Sequence, residues 1–418
     1  MMHTGTLSAG RSHEGSTVQG PPGTRGVPWP SSLDALRSEL GAVAVVSTFP
    51  PTACGLATFA AALSFGLAEI GVPEIGVVRV CTDRDEGSSP VEPHPAISVA
   101  ATLHPGSAAS RTAALSLLED FDTVLVQHEY GIFGPDDGSA VLELVGDSRT
   151  RVVTTLHSVP SAPSSRQRMI LERLVNESDA TVAMTWSARS RLAAGYRIDP
   201  TRVVSIPHGA TVLDDLPESD AATIITWGLL GPGKGIEAAI DALAAMPSMS
   251  PPPRLIVAGA THPNVLRRDG EAYREMLMNR AARLGVADRV VFDPTYRSVP
   301  ELLEMVSRAT VAVLPYESRD QVTSGVLVDA IAAGVPVVST AFPHAVELLS
   351  DGAGTTVPHG DVMALARALH AVLSRSSLRS AMVAAGRPIA QRHRWTSVAA
   401  EYVALARTLR RERTTVGW

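Results

Sequence analysis

Thr223-Ile224-Ile225-Thr226-Trp227-Gly228-Leu229-Leu230-Gly231-Pro232-Gly233-Lys234-Gly235 is a β-branched run that breaks into glycines and leads into a helical stretch, Ile236–Ala245. Glycines let backbone approach a ligand closely, and a helix N-terminus turns free N–H groups toward an anion. A lysine adds a point charge beside them. The 418-residue chain carries 36 basic residues, and Lys234 is its only lysine. A cradle for a diphosphate is therefore expected here, with a glycine-rich turn bearing a surface lysine as the plainer reading. Gly228, Gly233 and Lys234 have the G-x-x-x-x-G-K spacing of a P-loop, but Gly235 stands where Ser or Thr would hold magnesium. The G-x-G-x-x-G dinucleotide fingerprint is absent after the first strand, where Cys54-Gly55-Leu56 offers one glycine.

Outward from this segment the chain alternates strands and helices. On the C-terminal side, strands are predicted at Arg254–Ala258, Val290–Phe292, Val311–Leu314 and Val335–Ser339. Helices are predicted at Glu271–Leu284, Pro300–Arg308 and Gly325–Ala333. On the N-terminal side, strands are predicted at Val43–Ser47, Ile75–Val80, Thr123–Gln127, Val152–Leu156, Thr181–Met184 and Val203–Ile206. One helix carries Leu56, Phe59, Leu63, Leu67 and Ile70, and another spans Ser164–Glu177. Repeated β-α units with apolar strands imply parallel sheets covered on both faces. Two sets imply two doubly wound domains, with ligands at the carboxyl ends of the strands in the cleft between them. The polar stretch 214–222 is expected to link domains at 41–213 and 223–394. Residues 1–40 read as a flexible Gly/Pro/Ser-rich tail. Residues 395–418 read as a final helix and tail whose stripe of Val398, Tyr402, Leu405 and Leu409 caps the second domain or crosses back to the first. Its Arg407, Arg410, Arg411 and Arg413 read as a solvated face.

Composition narrows the function. Hydrophobic residues make up 45%, charged residues 19%, and the net charge is −6. Global disorder and coiled coil are excluded, and nothing basic argues for nucleic acid. No apolar run is long enough to span a bilayer, and no secretory signal pattern opens the chain, so a cytoplasmic location is expected. A peripheral membrane contact has no positive support. Cys54 and Cys81 cannot make a disulfide framework or a four-cysteine zinc site, and no H-E-x-x-H occurs, so no metal is expected.

Several segments, in order, carry a resemblance. They are Pro50–Phe59, Gln127-His128-Glu129-Tyr130-Gly131-Ile132-Phe133-Gly134, Thr155-Leu156-His157, Ile206-Pro207-His208-Gly209 and the Gly228–Gly235 loop. Gly259-Ala260-Thr261-His262-Pro263, Leu314-Pro315-Tyr316, Ala332–Val338 and His393-Arg394-Trp395 follow. Together, over residues 42–412, the chain resembles the GT-B-fold retaining glycosyltransferases of the family 4 type. The resemblance implies two Rossmann-like domains facing a central cleft, with a hexose moved from a nucleotide-diphospho-sugar to a sugar or lipid-linked acceptor. GDP-mannose is favoured over UDP- or ADP-glucose by subgroup resemblance. No cofactor is implied, because the departing diphosphate is neutralised by a helix N-terminus and basic side chains.

Residue by residue, the resemblance puts Lys234, His128 and Gln321 at the reaction. It puts Gly55, Gly233, Thr323, Ser324, Gly325 and Asp329 around the donor, and Glu129 and His157 near the acceptor or sugar. Two positions depart from the family pattern. The arginine usual five residues before Lys234 is Leu229. The Glu-x7-Glu pair counted back from Gly334 is Gln321 and Asp329, neutral at the first position and one methylene short at the second. These departures keep two alternatives open: a non-catalytic nucleotide-sugar-binding protein of the same fold, and a same-fold sugar phosphorylase or epimerase.

Overall fold

A computed structural model describes residues 41–52, 54–81 and 94–416, with side chains to 411. The tail read over 1–40, Ala53 of the first glycine loop and the Arg413 side chain lie outside the described residues.

The N-terminal half runs β1 (Val43–Ser47), α1 (Gly55–Glu69), β2 (Ile75–Val80), β3 (Ile97–Leu103), α2 (Ala108–Leu118), β4 (Thr123–His128), α3 (Val141–Gly146) and β5 (Arg151–Leu156). It ends with α4 (Ser165–Glu177), β6 (Ala180–Ala183), α5 (Trp186–Gly195) and β7 (Val203–Ser205). Its strands form a parallel sheet in the order β3-β2-β1-β4-β5-β6-β7.

The C-terminal half runs β8 (Thr223–Trp227), α6 (Ile236–Ala245), β9 (Arg254–Ala258), α7 (Pro263–Asp269), α8 (Ala272–Arg283), β10 (Val290–Asp293), α9 (Val299–Ser307) and β11 (Val311–Leu314). Then come α10 (Gly325–Ala332), β12 (Val337–Thr340), α11 (Pro343–Leu348), β13 (Gly354–Val357), α12 (Val362–Ser374), α13 (Ser376–His393) and α14 (Trp395–Val416). Its parallel sheet has the order β10-β9-β8-β11-β12-β13. Each sheet has apolar clusters on both faces, as buried parallel strands require.

Two strands escaped the sequence reading. β3 lies at a sheet edge, its middle residues are mostly exposed, and its register with β2 shifts between Val77 and Val78, so apolar alternation is missing. β13 has only four residues and opens with glycine. The strand expected at Val335–Ser339 begins instead at Val337, after Pro336, which has no N–H to donate.

Helix α14 returns to the first domain. Val398, Ala399, Tyr402, Val403 and Leu405 are buried in the same cluster as Val43, Val45 and Leu63. The Tyr402 hydroxyl and Thr155 Oγ1 share a hydrogen bond of 2.9 Å. At the crossing, Ala210 N donates to the His393 carbonyl at 2.6 Å and His393 Nδ1 to the His208 carbonyl at 2.7 Å. Trp395 fills the corner: a Cβ on Gly209 would come within 2.2 Å of its ring. Of the terminal arginines read as a solvated face, Arg411 is exposed, but Arg410 departs from that reading and donates to Asp122 at 2.6 Å across this contact. The carboxylate was too distant in sequence to be foreseen.

Candidate functional site

In each sheet the strand order reverses beside the first strand, between β1 and β4 and between β8 and β11. A crevice opens outside the carboxyl ends of strands at such a point. On the first domain it takes the β1–α1 loop with Cys54 and Gly55, and His128, the last residue of β4. On the second it takes the Gly228–Gly235 loop and Pro315-Tyr316-Glu317 after β11.

The glycine loop is shaped by its neighbours. Gly228 and Gly233 have φ of 114° and 88°, and a Cβ on either would stand in open space, so backbone conformation demands glycine there. Gly235 has φ 67°, and its Cβ would lie 1.8 Å from the Pro315 carbonyl oxygen. Glu317 N donates to the Gly233 carbonyl at 3.0 Å, tying the two loops together. Lys234 Nζ sits 4.8 Å from the centroid of the Tyr316 ring. Among the described residues no carboxylate pairs with it, and burial pushes its ammonium below the usual lysine range. A half-buried cation with a ring face and no counter-charge fits an anionic ligand.

His128 is fully buried, and among the described residues neither ring nitrogen has a hydrogen-bond partner. Its ring stands edge-on to Tyr130 at 5.0 Å, and burial pushes its pKa down to about 3. A buried unsatisfied imidazole is costly, and polar groups of this kind are usually met by a ligand or water. His157 is different. Its Nε2 is 2.9 Å from Gln127 Oε1, its ring stands edge-on to Phe59 at 4.7 Å, and burial holds it well below the ordinary histidine range. Glu129 is turned inward and accepts from Tyr130 N at 2.9 Å and Ser158 Oγ at 2.6 Å; burial raises its carboxyl. Gly55 opens α1 with free space where a Cβ would be.

Helix α10 brings the remaining donor candidates together. Ser324 is its N-cap, accepting from Leu327 N at 3.3 Å, and its own N–H donates to His344 Nδ1 at 2.8 Å. The acceptor role fixes the His344 proton on Nε2. Thr323 Oγ1 is buried without a partner. Gln321 Nε2 donates to the Thr323 carbonyl at 3.0 Å. Asp329 has no hydrogen-bond partner among the described residues, and burial pushes its carboxyl up to about 7. Gly325 lies under His208: a Cβ there would come within 2.9 Å of that ring. His208, quoted above only within Ile206-Pro207-His208-Gly209, thus reaches the start of a second-domain helix. His344 and Tyr316 were also missed as functional side chains. Tyr316 lay inside a quoted phrase, while nothing local marked His344. Among the described residues no group of three or more His, Cys, Asp or Glu is arranged to hold a metal ion.

Two family models match the chain, described as Glycosyltransferase Family 4 over residues 53–212 and Glycosyl transferases group 1 over residues 214–388. The chain belongs to the family 4 glycosyltransferases. Their GT-B fold is also what solved structures share with this family member. Sucrose-phosphate synthase from Thermosynechococcus elongatus superposes with a TM-score of 0.67 at 18% identity, covering 89% of this chain and 100% of that one. Anabaena HepE in complex with UDP gives 0.64 at 15% identity, covering 90% and 100%. Among curated relatives, the D-inositol 3-phosphate glycosyltransferase of Geodermatophilus obscurus is 31% identical over 271 residues, 60% of this chain and 58% of the relative. The GDP-mannose-dependent alpha-(1-6)-phosphatidylinositol monomannoside mannosyltransferase of Mycolicibacterium smegmatis is 29% identical over 242 residues, 53% and 59% respectively. The match thus spans well under two thirds of either relative's length.

Proposed function

We propose that the protein is a retaining hexosyltransferase that takes a hexose from a nucleotide-diphospho-sugar and gives it to a sugar or lipid-linked acceptor. The observation that carries this reading is the placing of Lys234, a half-buried cation, and His128, a buried imidazole, on the two switch points of the fold, neither with a counter-ion or hydrogen-bond partner among the described residues. In this reading the diphosphate lies between the Gly228–Gly235 loop and the N-terminus of α10. Lys234 and the N–H groups of Gly325 and Val326 at the start of α10 stabilise the charge that develops as it departs. No metal is then needed for that task. His128, neutral because it is buried, hydrogen-bonds the hexose. Asp329 accepts from the ribose hydroxyls, and Gln321 orients the sugar through its amide rather than stabilising a cation. Glu129 and His157, held by Ser158 and Gln127, shape the acceptor side.

Retention follows from attack on the face the diphosphate leaves, with a phosphate oxygen taking the acceptor's proton. A mannose from GDP-mannose is the first choice, which the mycolicibacterial mannosyltransferase supports, and glucose is the second. The protein is read as acting in the cytoplasm; among the described residues no helix is long and apolar enough to cross a membrane.

A thermal-shift panel tests the donor reading. A ligand that binds only the folded state raises stability by RT ln(1 + [L]/Kd), about 2.7 kcal/mol at a hundredfold excess over Kd. GDP, UDP, ADP and their hexose conjugates are compared on wild type and Lys234→Ala. One diphosphate and its sugar are expected to raise Tm, and the mutant to lose most of that rise. A panel with no shift refutes the donor site.

A further inference from the structure

The segment carrying Gln321 belongs to the second domain by sequence, yet it is gripped by the first. On one side of Gln321, Asp320 Oδ1 is 2.7 Å from Arg191 Nη1, Asp320 Oδ2 accepts from Ser161 N at 3.0 Å, and the Asp320 carbonyl accepts from Arg191 at 2.9 Å. On the other side, the Val322 carbonyl accepts from Thr185 Oγ1 at 2.9 Å, and the Val322 side chain is buried in a first-domain core cluster. Thr185 and Arg191 are the N-cap and a middle residue of one helix, α5. The Thr185 hydroxyl does two jobs, accepting from Ala188 N at 3.0 Å while it donates to Val322. The same helix start is met again by the second domain: Glu347 of α11 accepts from Trp186 N at 2.8 Å, Ser187 N at 2.9 Å and Ser187 Oγ at 2.7 Å.

We infer that α5, acting through Arg191 and Thr185, is the positioning element for the donor-sugar loop, so that the hexose subsite is complete only when the two domains are closed. Gln321 itself bonds within its own domain, to the Thr323 carbonyl and from His344 N, but both its neighbours are fixed by groups from across the cleft, so the placement of the loop that aims it depends on the first domain. The Gly228–Gly235 loop shows no such dependence among the described residues, because its hydrogen bonds run to Ala258, Ala260, His262 and Glu317 of its own domain. Nucleoside diphosphate should therefore bind an open molecule well, while the attached hexose finds its partners only after closure. Closure that completes a site in this way ties specificity to a conformational step. The Arg191–Asp320 pair is partly exposed, so its contribution is to geometry rather than to stability. Arg191 touches no substrate in this scheme and is a positioning residue.

This inference rests on the donor reading above, and the test separates the two. Calorimetric titration is carried out with GDP, GDP-mannose, UDP, UDP-glucose, ADP and ADP-glucose on wild type, Arg191→Ala, Asp320→Ala and the double variant. Wild type that binds none of them overturns the donor reading, and this inference with it. Where wild type binds one pair, each single variant should keep the diphosphate within about twofold and lose about tenfold for the hexose conjugate, the size expected for a charged hydrogen bond. The double variant should lose clearly less than the sum of the two single losses, because both remove the shared Arg191–Asp320 contact, while each residue also makes bonds of its own. Equal loss for diphosphate and conjugate, no loss for either, or additive losses would each overturn the positioning role. Arg191 also holds the Val159 carbonyl of its own domain at 2.7 Å. Should its alanine variant fail to fold, Asp320→Ala carries the test from the other side of the cleft.

Discussion

At position 235 a single hydrogen decides what the cradle can be. The backbone there is left-handed, and the space a Cβ would need is already taken by the Pro315 carbonyl oxygen. A P-loop requires a hydroxyl side chain after its lysine, so this chain could not acquire one without moving β11. Gly235→Ala is expected to cost about 1–3 kcal/mol through strain and overpacking and to abolish the nucleotide-dependent rise in Tm. Thermal unfolding with and without the diphosphate that wild type binds measures both. The lone lysine and the glycines around it were legible in the sequence, because their spacing is local. The contact that forbids a side chain at 235 was not, since Pro315 is far along the chain and arrives through the pairing of β11 with β8. The same holds for His208. The Pro207-His208-Gly209 phrase was legible, while the place of His208 over Gly325 depends on how the domains meet.

Among the elements, α14 shows both the strength and the limit of reading periodicity. Its apolar stripe announced a helix with one buried face, but a stripe does not name the surface it covers. The choice fell to the first domain through Tyr402, which is buried against α1 and bonded to Thr155. Tyr402→Phe should cost about 1 kcal/mol for the lost hydrogen bond, and Tyr402→Ala about 3–5 kcal/mol for the cavity as well. Equilibrium denaturation in urea separates the two; equal losses would show that the hydroxyl, not the ring, carries the contact. Helices with clear ends were read to within a residue, as at α6, where glycines precede the helix. The edge strands β3 and β13 were lost because burial on two faces, the source of the apolar signal, is weakest at a sheet's margin.

For the molecule as a whole, acid should open the seam between domains. His128 and His344 are held near a pKa of about 3, and His208 and His393 near about 4, mainly by burial. Each is neutral when folded and takes a proton when unfolded below its ordinary value of about 6.5. The unfolded state therefore binds more protons in this window, and stability falls as pH drops from about 6.5 toward 4. Asp329 acts in the opposite sense: its carboxyl, raised to about 7, favours the fold at low pH and loses that advantage as pH rises through 7. Burial lowers His157 as well and raises Glu129 in the sense of Asp329, so five histidines stand against these two carboxyls, and Tm should decline steadily below pH 6.5 in the absence of ligand. A Tm that is flat from pH 7 to 5 would contradict the burial of these rings. The return of α14 has a consequence for how the chain is made. A nascent polypeptide emerges N-terminus first, and domains usually finish folding in that order. Here β1 to β7 leave the ribosome with one face covered by α1 but still incomplete, waiting for Val398 to Leu405 to be synthesised. The first domain to be born is among the last to be completed, and chaperones that shelter apolar surface have a natural client in the interval.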